Sequence, residues 1–383
     1  MDPGALDVLD RYIVSALADS VAPGAAIAVL RRGKLVRLRG YGRLDWTPDS
    51  APVTPFSIYD LASLTKVVAT TPAVMLLVEE GRVGLDDPVI RHLPGWDRGD
   101  ARKEEVTVRD LLLHRSGLPA FRPFFSQLDD AGAVREAVYD LALDHPPGRA
   151  TVYSDIGFMT LAWLVEAAAG EPIERFLDRR VFGPMGMRDT GFNPDPRERP
   201  RIAPTERDTE WRPGQIHGEV HDENAFVLGG VAGHAGLFST AQDLAVLARL
   251  LMDRGMLSPC RHEVGSGIPC GAWGVPLQVR YFQEGIVETF SRRADPAESR
   301  ALGWDTPSGT SSAGDYFSAR SFGHTGFTGT SIWIDPELEL AVVLLTNRVN
   351  PSRDNSRHIP FRREVHDLAA GAITDRPVER RSP

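Results

Sequence analysis

A serine and a lysine three positions apart are the first residues in this sequence whose types and spacing suggest chemistry. Ser63 and Lys66 belong to the run Ser-Leu-Thr-Lys, which opens a helical segment. Side chains three apart on a helix share one face and reach each other. A neighbouring amine can take the serine proton, and a neighbouring ammonium can stabilise a second base that takes it. The pair therefore indicates an activated hydroxyl. Pro72 predicts a kink in the same segment.

Lysine is rare in this chain, which makes each lysine informative. Lys34, Lys66 and Lys103 are the three lysines among 43 basic residues, and all the others are arginine. Arginine stays charged in proteins, whereas lysine is compact and shifts its pKa enough to take part in proton transfer. The lysine next to Ser63 is therefore a candidate for a role that arginine cannot fill.

Two further short motifs carry candidate functional groups. The triplet Tyr-Ser-Asp that starts at Tyr153 follows a Pro-Pro-Gly turn and begins a helix. A tyrosine acts as a general base where a cation lowers its pKa from about 10. The triplet His-Thr-Gly that starts at His324 lies just before a strand. Glycine there lets a substrate backbone approach closely, and free N–H groups can bind an oxyanion.

Taken together and in this order, the three motifs resemble the signatures of the serine β-lactamase and penicillin-binding protein superfamily. The Tyr triplet makes the sequence more similar to the class C β-lactamases, D,D-peptidases and related esterases than to class A. The resemblance covers roughly residues 5 to 373. It implies a β-lactamase/transpeptidase-like fold of the α/β plus all-α type, in which an antiparallel sheet is flanked by N- and C-terminal helices and carries a helical insertion.

The resemblance also implies a function, that of a serine acyl-hydrolase of the esterase or amidase/D-peptidase type. Ser63 would be acylated, Lys66 and Tyr153 would be the activating groups, and water would release the acyl group. The backbone N–H groups of Ser63 and Phe327 would form the oxyanion hole. The remaining expected substrate-binding residues are Asp155, His324, Thr325, Gly326 and Asn224. No metal and no organic cofactor is expected.

Two positions depart from the pattern of the superfamily. The third residue of the Tyr triplet is usually asparagine, and here it is Asp155. An ionised carboxylate only accepts hydrogen bonds, so Asp155 is expected to pair with Lys66 and hold it protonated, which moves the base role to Tyr153. The usual Lys-Thr-Gly is replaced by the triplet at His324, and histidine is mostly neutral above about pH 6.5. We therefore expect neutral ester or amide substrates and feeble hydrolysis of β-lactams.

Three other functions remain open on the sequence alone. A true β-lactamase would turn over nitrocefin rapidly. A D-stereospecific peptidase acting on cell-wall fragments would release D-alanine from a peptide. A catalytically silent penicillin-binding-protein-like module would keep the groove and bind without turnover. The presence of Ser63, Lys66 and Tyr153 argues against the silent module, whereas Asp155 keeps it open.

Two clusters contain residue types that bind metals but lack a suitable spacing. His217 and His221 are four positions apart beside acidic residues, a spacing that converges only on a helix, and the proline and glycines around them disfavour one. The resemblance instead places His221 on a loop at the rim of the cleft. Cys260, His262 and Cys270 match no trusted zinc spacing, and we expect a surface insertion there. Whether the two cysteines pair stays open.

Hydrophobic spacing and turn residues predict the elements that must position these groups. A helix with apolar positions at 6, 9, 13 and 17 comes first, and a closing helix follows Pro360. Thr107, Ser154 and Thr240 are predicted to begin helices, of which the last two end at Gly170 and Gly255. Strands are predicted at 25–30, 34–40, 330–334 and 338–346.

Strands at both ends of the chain predict a discontinuous architecture. We expect an α/β sheet region from residues 1–60 and 315–375, a mainly helical region over 61–257, an irregular insertion over 258–314 and a tail over 376–383.

Composition sets outer limits on function. The chain has 383 residues, 42% of them hydrophobic, which is enough for a sizeable core. A net charge of −9 disfavours nucleic acid as a partner, and the longest apolar runs are too short for a membrane span. We expect a small-molecule ester, amide or peptide substrate, with the oligomeric state left open. The expected compartment is cytoplasmic if Met1 is native, and periplasmic or extracellular if a leader was removed.

Overall fold

The computed structural model describes residues 1–258 and 278–381. In this part of the chain the strands are β1 Gly24–Arg31, β2 Lys34–Gly42, β3 Tyr59–Asp60, β4 Gly191–Phe192, β5 Arg207–Asp208, β6 Gly214–Gln215, β7 Leu237–Ser239, β8 Met256–Leu257, β9 Val279–Arg280, β10 Phe322–Thr325, β11 Ser331–Asp335 and β12 Leu340–Thr346.

The α-helices of the same part of the chain are α1 Pro3–Ala18, α2 Thr71–Glu79, α3 Val108–Leu112, α4 Ala131–Tyr139, α5 Asp155–Ala169, α6 Ile173–Leu177, α7 Gly183–Met185, α8 Glu223–Val227, α9 Ala241–Met252, α10 Glu284–Ser291 and α11 His358–Gly371. Short 3₁₀ segments lie at Ala62–Leu64, Val89–Arg91, Ala101–Glu105, Phe124–Ser126 and Pro196–Arg201, and π-helical turns at Lys66–Thr70 and Asp178–Phe182.

The central sheet is antiparallel and takes its strands from both ends of the chain, as the sequence predicts. Its order is β10-β11-β12-β1-β2, and β1 lies between β12 and β2. Every residue of β1 and β12 is buried, because helices cover both faces of the sheet. Alternate residues enter two different cores: Ile27 packs with α1 and α11, whereas Ala28 packs in the larger core with α9. This alternation is the period of two expected of a strand.

The two terminal helices pack together on one face of this sheet. The rings of Tyr12 on α1 and Phe361 on α11 stack with centroids 5.9 Å apart, and the predicted apolar positions 6, 9, 13 and 17 of α1 are buried. α11 begins two residues before Pro360 rather than after it. Proline is compatible with a first helical turn, where the N–H groups have no partner within the helix.

The helices of the central region begin at the predicted caps. Thr107 forms a capping box with Asp110 at the start of α3, and the Ser154 hydroxyl accepts from Gly157 N at 3.1 Å at the start of α5. α5 is ended by Gly170, as predicted, and this glycine follows Ala169 in the left-handed conformation. α9 ends at Met252, earlier than predicted, because residues 253–255 form a turn.

The predicted boundaries between regions stay a prediction, and two observations bear on them. β3, in the first predicted region, pairs with β7 of the helical region, which links the two. The predicted irregular insertion contains α10, and Cys260, His262 and Cys270 lie outside the described residues. Within the described chain, one stretch, Ala62–Glu79, has the length and hydropathy of a membrane span, and 83% of it is buried inside the protein.

Candidate active site

Ser63 and Lys66 do not share one regular α-helix, although their spacing predicts it. Ser63 is in the 3₁₀ turn, and Lys66 opens the π-helical turn that precedes α2. Pro72, the second residue of α2, has no N–H to donate to the carbonyl four residues earlier, so an α-helix that began at Ser63 could not continue unbroken through this position. The wider π turn carries the chain past the proline, and such turns are frequent at functional sites.

The backbone just before Ser63 is strained and held in place by a buried carboxylate. Ala62 has φ +46°, which is unfavourable for a residue with a side chain. Its N–H donates to Asp60 Oδ1 at 2.8 Å, and its carbonyl accepts from Thr65 Oγ1 at 2.7 Å. These bonds fix the turn that presents Ser63. Asp60 is a positioning residue that the motif analysis missed, since no spacing rule marks it.

Lys66 is completely buried and makes three polar contacts at its ammonium. Nζ lies 3.1 Å from Ser63 Oγ, 3.0 Å from the carbonyl of His234 and 2.7 Å from Asp155 Oδ1. Burial alone would lower the pKa of Lys66, but the Asp155 carboxylate and Tyr153 outweigh it and raise the pKa above its ordinary value. The predicted pairing with Asp155 is therefore present, and Lys66 is an ammonium that donates.

Tyr153 lies beside this ammonium at the start of α5. Lys66 Nζ is 4.9 Å from the centre of the Tyr153 ring, and the Arg300 guanidinium carbon is 5.3 Å from the same centre. The buried His114 ring packs against Tyr153 with centroids 4.6 Å apart, and its Nδ1 accepts from Ser154 N at 3.0 Å. Two cations thus face the ring, and His114 holds the backbone that carries it.

The strand β10 brings the His-Thr-Gly triplet to the serine turn. Thr330 Oγ1 donates to the carbonyl of Leu61 at 3.0 Å, and a side chain on Gly326 would meet that same carbonyl at 2.3 Å. Glycine is therefore required for this close approach. Burial, with help from Arg300 and Lys66, lowers the pKa of His324 to about 3, so His324 is neutral, as expected from the sequence.

Phe327, the residue after the triplet, has a fixed backbone and an exposed ring. No acceptor within the described chain takes its N–H, whereas its carbonyl accepts from Arg348 Nε at 2.8 Å. The ring is 49% exposed and contacts two neighbours, the Arg348 guanidinium carbon at 4.3 Å from its centre and the His221 ring at 5.7 Å. The free N–H is available to a developing oxyanion.

These groups line one cavity of about 390 Å³. Its lining residues are Ser63, Tyr153, Arg300, Asp305, His324, Thr325, Gly326, Phe327, Arg348, His358 and Arg362. The structure therefore brings together most of the predicted site. It also adds three arginines that sequence reasoning missed, because arginine is too common in this chain to stand out. We expected neutral substrates because His324 takes the place of the lysine in the usual Lys-Thr-Gly triplet. That reasoning assumed that no other cation lines the cavity, and the three arginines show that the assumption does not hold.

Two predicted residues are not among those that line the cavity. Asn224 is buried and does not line it: its Nδ2 donates to Arg122 O at 2.9 Å and its Oδ1 accepts from Phe125 N at 3.1 Å. Because the amide nitrogen and the amide oxygen of Asn224 both bind the backbone of this neighbouring segment, the side chain holds the segment in place and does not bind a substrate. Asp155 instead forms the ion pair with Lys66 at 2.7 Å.

The histidines of the 217–234 segment also have protein partners. His221 Nε2 lies 2.9 Å from Glu206, His234 Nε2 lies 3.0 Å from Asp222, and His217 Nε2 contacts two backbone carbonyls. Over residues 1–258 and 278–381, no group of three or more His, Cys, Asp or Glu side chains has an arrangement that could hold a metal ion.

Comparison with known proteins places this geometry in a family. The beta-lactamase family model matches residues 9–367. A protein of Escherichia coli K12 that is named as a D-alanyl-D-alanine carboxypeptidase is 32% identical over 381 residues, which cover 90% of this chain and 82% of the relative.

Two solved structures share the fold. A penicillin-binding protein homologue from Caulobacter crescentus has a TM-score of 0.72 at 20% identity, covering 97% of this chain and 99% of that one. EstCE1, described as a hydrolase with promiscuous acyltransferase activity, has a TM-score of 0.71 at 21% identity, covering 96% and 98%. Because the family model spans residues 9–367 and the relative is 32% identical over most of both chains, the chain belongs to the beta-lactamase family and is a serine acyl-hydrolase.

Proposed function

We propose that Ser63 is the nucleophile and forms a covalent acyl-enzyme that water then hydrolyses. The observation that carries this assignment is the position of the Lys66 ammonium, which lies 3.1 Å from Ser63 Oγ and 2.7 Å from Asp155. A buried cation beside a serine hydroxyl stabilises negative charge as it develops on that oxygen. Its own partner, Asp155, keeps it charged through the reaction.

Because Lys66 is already protonated, the serine proton goes to another group, and we assign that role to Tyr153. Its ring lies beside both Lys66 and Arg300 and lines the same cavity as Ser63, and a tyrosine hydroxyl in such a position can exchange a proton with the serine. The proton then passes from Tyr153 to the leaving group as the acyl-enzyme forms. In the second half of the reaction, Tyr153 takes a proton from water and returns one to Ser63.

The oxyanion of the tetrahedral intermediate is assigned to two backbone N–H groups, those of Ser63 and Phe327. The first is fixed by the strained turn, and the second by the bond from Arg348 to the carbonyl of Phe327. Removal of one preorganised donor of this kind typically lowers kcat by a factor of about 10² to 10³. Thr325, the last residue of the edge strand β10, and Gly326 just after it would contact the polar backbone of the substrate, and the neutral His324 would line the pocket opposite the serine.

The proposal is tested by trapping the acyl-enzyme. Wild type and Ser63→Ala are mixed with a neutral p-nitrophenyl ester, quenched rapidly in acid and weighed intact. We expect an acyl adduct on wild type and none on the variant, together with loss of nitrophenol release. Turnover that survives in Ser63→Ala would overturn the assignment of the nucleophile.

A second candidate, within the same mechanism, is D-alanine carboxypeptidase activity. It is favoured by the name of the Escherichia coli relative, which matches nearly the whole chain at 32% identity. The test is release of D-alanine from diacetyl-L-Lys-D-Ala-D-Ala, measured beside nitrocefin hydrolysis. D-alanine release with feeble nitrocefin turnover would support the peptidase, and rapid nitrocefin turnover would favour a β-lactamase.

A further inference from the structure

A cavity of about 720 Å³ lies outside the catalytic site and shares no lining residue with it. The segment after β12 borders both cavities, since Arg348 lines the catalytic one and Asn350 lines this one. The volume is within the range of small-molecule binding sites, so the cavity can hold a ligand of its own. We call it the Trp46 pocket, and it is formed by Ser20 and by residues 45–47, 207, 215, 350–351 and 354–357.

The indole of Trp46 is held in a fixed orientation at this pocket. Its Nε1 donates to the carbonyl of Asn350 at 2.9 Å, and the backbone N–H of Trp46 donates to the Asp45 carboxylate at 2.6 Å. Trp46 is nevertheless 41% exposed. Because the one polar atom of its side chain is already bonded, the surface that it offers to a ligand is the apolar surface of the ring.

The polar groups beside the indole include both unused acceptors and unused donors. Gln215 Nε2 donates to three backbone carbonyls at 3.0–3.3 Å, which orients the amide and leaves its Oε1 without a donor in the described chain. Arg207 is paired with Gln215 across the β5–β6 ladder, so the two side chains are neighbours. Over residues 1–258 and 278–381, the guanidinium of Arg207 has no hydrogen-bond or ion-pair partner. Thr47 and Ser356 add hydroxyls, which donate and accept.

The charges that line the Trp46 pocket cancel. Two arginines, Arg207 and Arg357, are matched by two carboxylates, Asp45 and Asp354, and none of these four groups is joined to another by an ion pair in the part of the chain that the structure describes. A ligand with a net charge would meet groups of its own sign as well as of the opposite sign. A neutral ligand with many hydroxyls can instead accept from the arginines and donate to the carboxylates.

We propose that the Trp46 pocket binds a neutral oligosaccharide. A sugar ring has an apolar C–H face, which packs on an indole, and hydroxyls around its edge, which both donate and accept hydrogen bonds. The exposed ring of Trp46, the mixed donors and acceptors and the balanced charge match these properties. The inference goes beyond the proposed function, since it needs no group of the catalytic cavity.

The experiment measures binding of three uncharged tetrasaccharides, chitotetraose, cellotetraose and maltotetraose, to the full chain by calorimetry. We expect at least one of them to bind wild type with a Kd of about 1 mM or lower. Trp46→Ala and Arg207→Ala should each raise that Kd at least fivefold, and Trp46→Phe should retain part of the affinity. Tyr316→Ala is the matched control, because it removes another exposed aromatic ring beside a different surface cavity, and it should keep the wild-type Kd.

Two further variants keep the test independent of folding and of catalysis. The side chain of Arg207 has no partner to lose, so Arg207→Ala reports on the pocket even if Trp46→Ala fails to fold. Ser63→Ala should bind the saccharide as wild type does, so a failure of the proposed function would leave this inference standing. Absence of binding for all three tetrasaccharides overturns the proposal. So does a Kd that Arg207→Ala and a folded Trp46→Ala both leave unchanged, or one that Tyr316→Ala raises equally.

Discussion

Two of the three lysines in this chain are completely buried, and their surroundings have opposite effects on their charge. Lys66 forms an ion pair with Asp155 at 2.7 Å, and its pKa is raised. Lys103 donates to three backbone carbonyls at 2.9–3.2 Å, those of Trp96, Val138 and Tyr139. Burial lowers the pKa of Lys103 to about 8, although acidic residues nearby oppose the shift.

The difference shows that the hydrogen-bonding or ion-pair partner of a buried lysine, rather than burial itself, decides whether its pKa is raised or lowered. Without a carboxylate in contact, Lys103 acts as a polar link between the 3₁₀ segment that carries it and the end of α4. With a carboxylate in contact, Lys66 stays an ammonium next to the Ser63 hydroxyl, and the proposed catalytic role rests on this arrangement. The compact ammonium of lysine suits both roles, since a guanidinium is larger and planar.

The largest expected effect comes from removing the functional member of this pair. Lys66→Ala should lower kcat/KM for a neutral p-nitrophenyl ester by about 10³ or more, because the charge beside Ser63 is lost. Steady-state kinetics measures the change, with circular dichroism as the check on folding. A loss below tenfold in a folded variant would contradict the catalytic role of Lys66.

Tyr153→Phe tests the consequence of a permanently protonated Lys66. If Lys66 cannot take the serine proton, loss of the phenolic oxygen should lower kcat/KM by about 10² to 10⁴. The same ester assay measures it, and the ring contacts with His114 are retained in the variant. Turnover close to that of wild type would show that another group is the base.

Asp155→Asn sharpens the comparison by making the surroundings of Lys66 resemble those of Lys103. Without the carboxylate, burial is the main influence on Lys66, so its pKa should fall. Activity that needs the ammonium is lost as pH rises through that pKa. We expect about a tenfold loss of kcat/KM at pH 7 and a new alkaline limb below pH 10 that wild type lacks. Identical pH–rate profiles for the two proteins would contradict the account.

Lys103→Met should have the smallest effect on rate and a clear effect on stability. Three buried carbonyls lose their donor, so the free energy of unfolding in urea should fall by about 2–4 kcal/mol. Because the pKa of Lys103 is lower in the folded protein than its ordinary 10.5, the unfolded chain binds more protons between about pH 8 and 10.5. Stability should therefore rise with pH across that window in wild type relative to the variant. A large loss of kcat/KM would place Lys103 in the site.

Much of the fold could be predicted from the sequence because its patterns are local. The apolar runs of β1 and β12, the stripe on α1 and the cap at Ser154 are each set by neighbouring residues. The Ser63–Lys66–Asp155 contact could be predicted as well, since the motif fixes the residue types and their order. The π turn before α2 could be predicted only in part. Pro72 indicates that the helix is interrupted there, but not that the interruption is a π turn.

The rest of the site depends on contacts that are distant in sequence. Asp60 holds the backbone before Ser63, and it is one acidic residue among 52. Arg348 and Arg362 follow the motifs by more than 20 positions and meet at the cavity because β10 packs against the serine turn and α11 packs against β12. Asn224 was expected to bind substrate because of a resemblance, whereas the structure places it on α8 with its amide bound by residues 122 and 125.

The most direct test of the central claim, that Ser63 is an activated nucleophile, is intact-mass spectrometry after exposure to a fluorophosphonate. Wild type and Ser63→Ala are treated side by side, and the adduct is located by peptide mapping. The account predicts one adduct on wild type, on the peptide that contains Ser63, and none on the variant. Equal labelling of the two proteins, or no labelling of wild type, would contradict it.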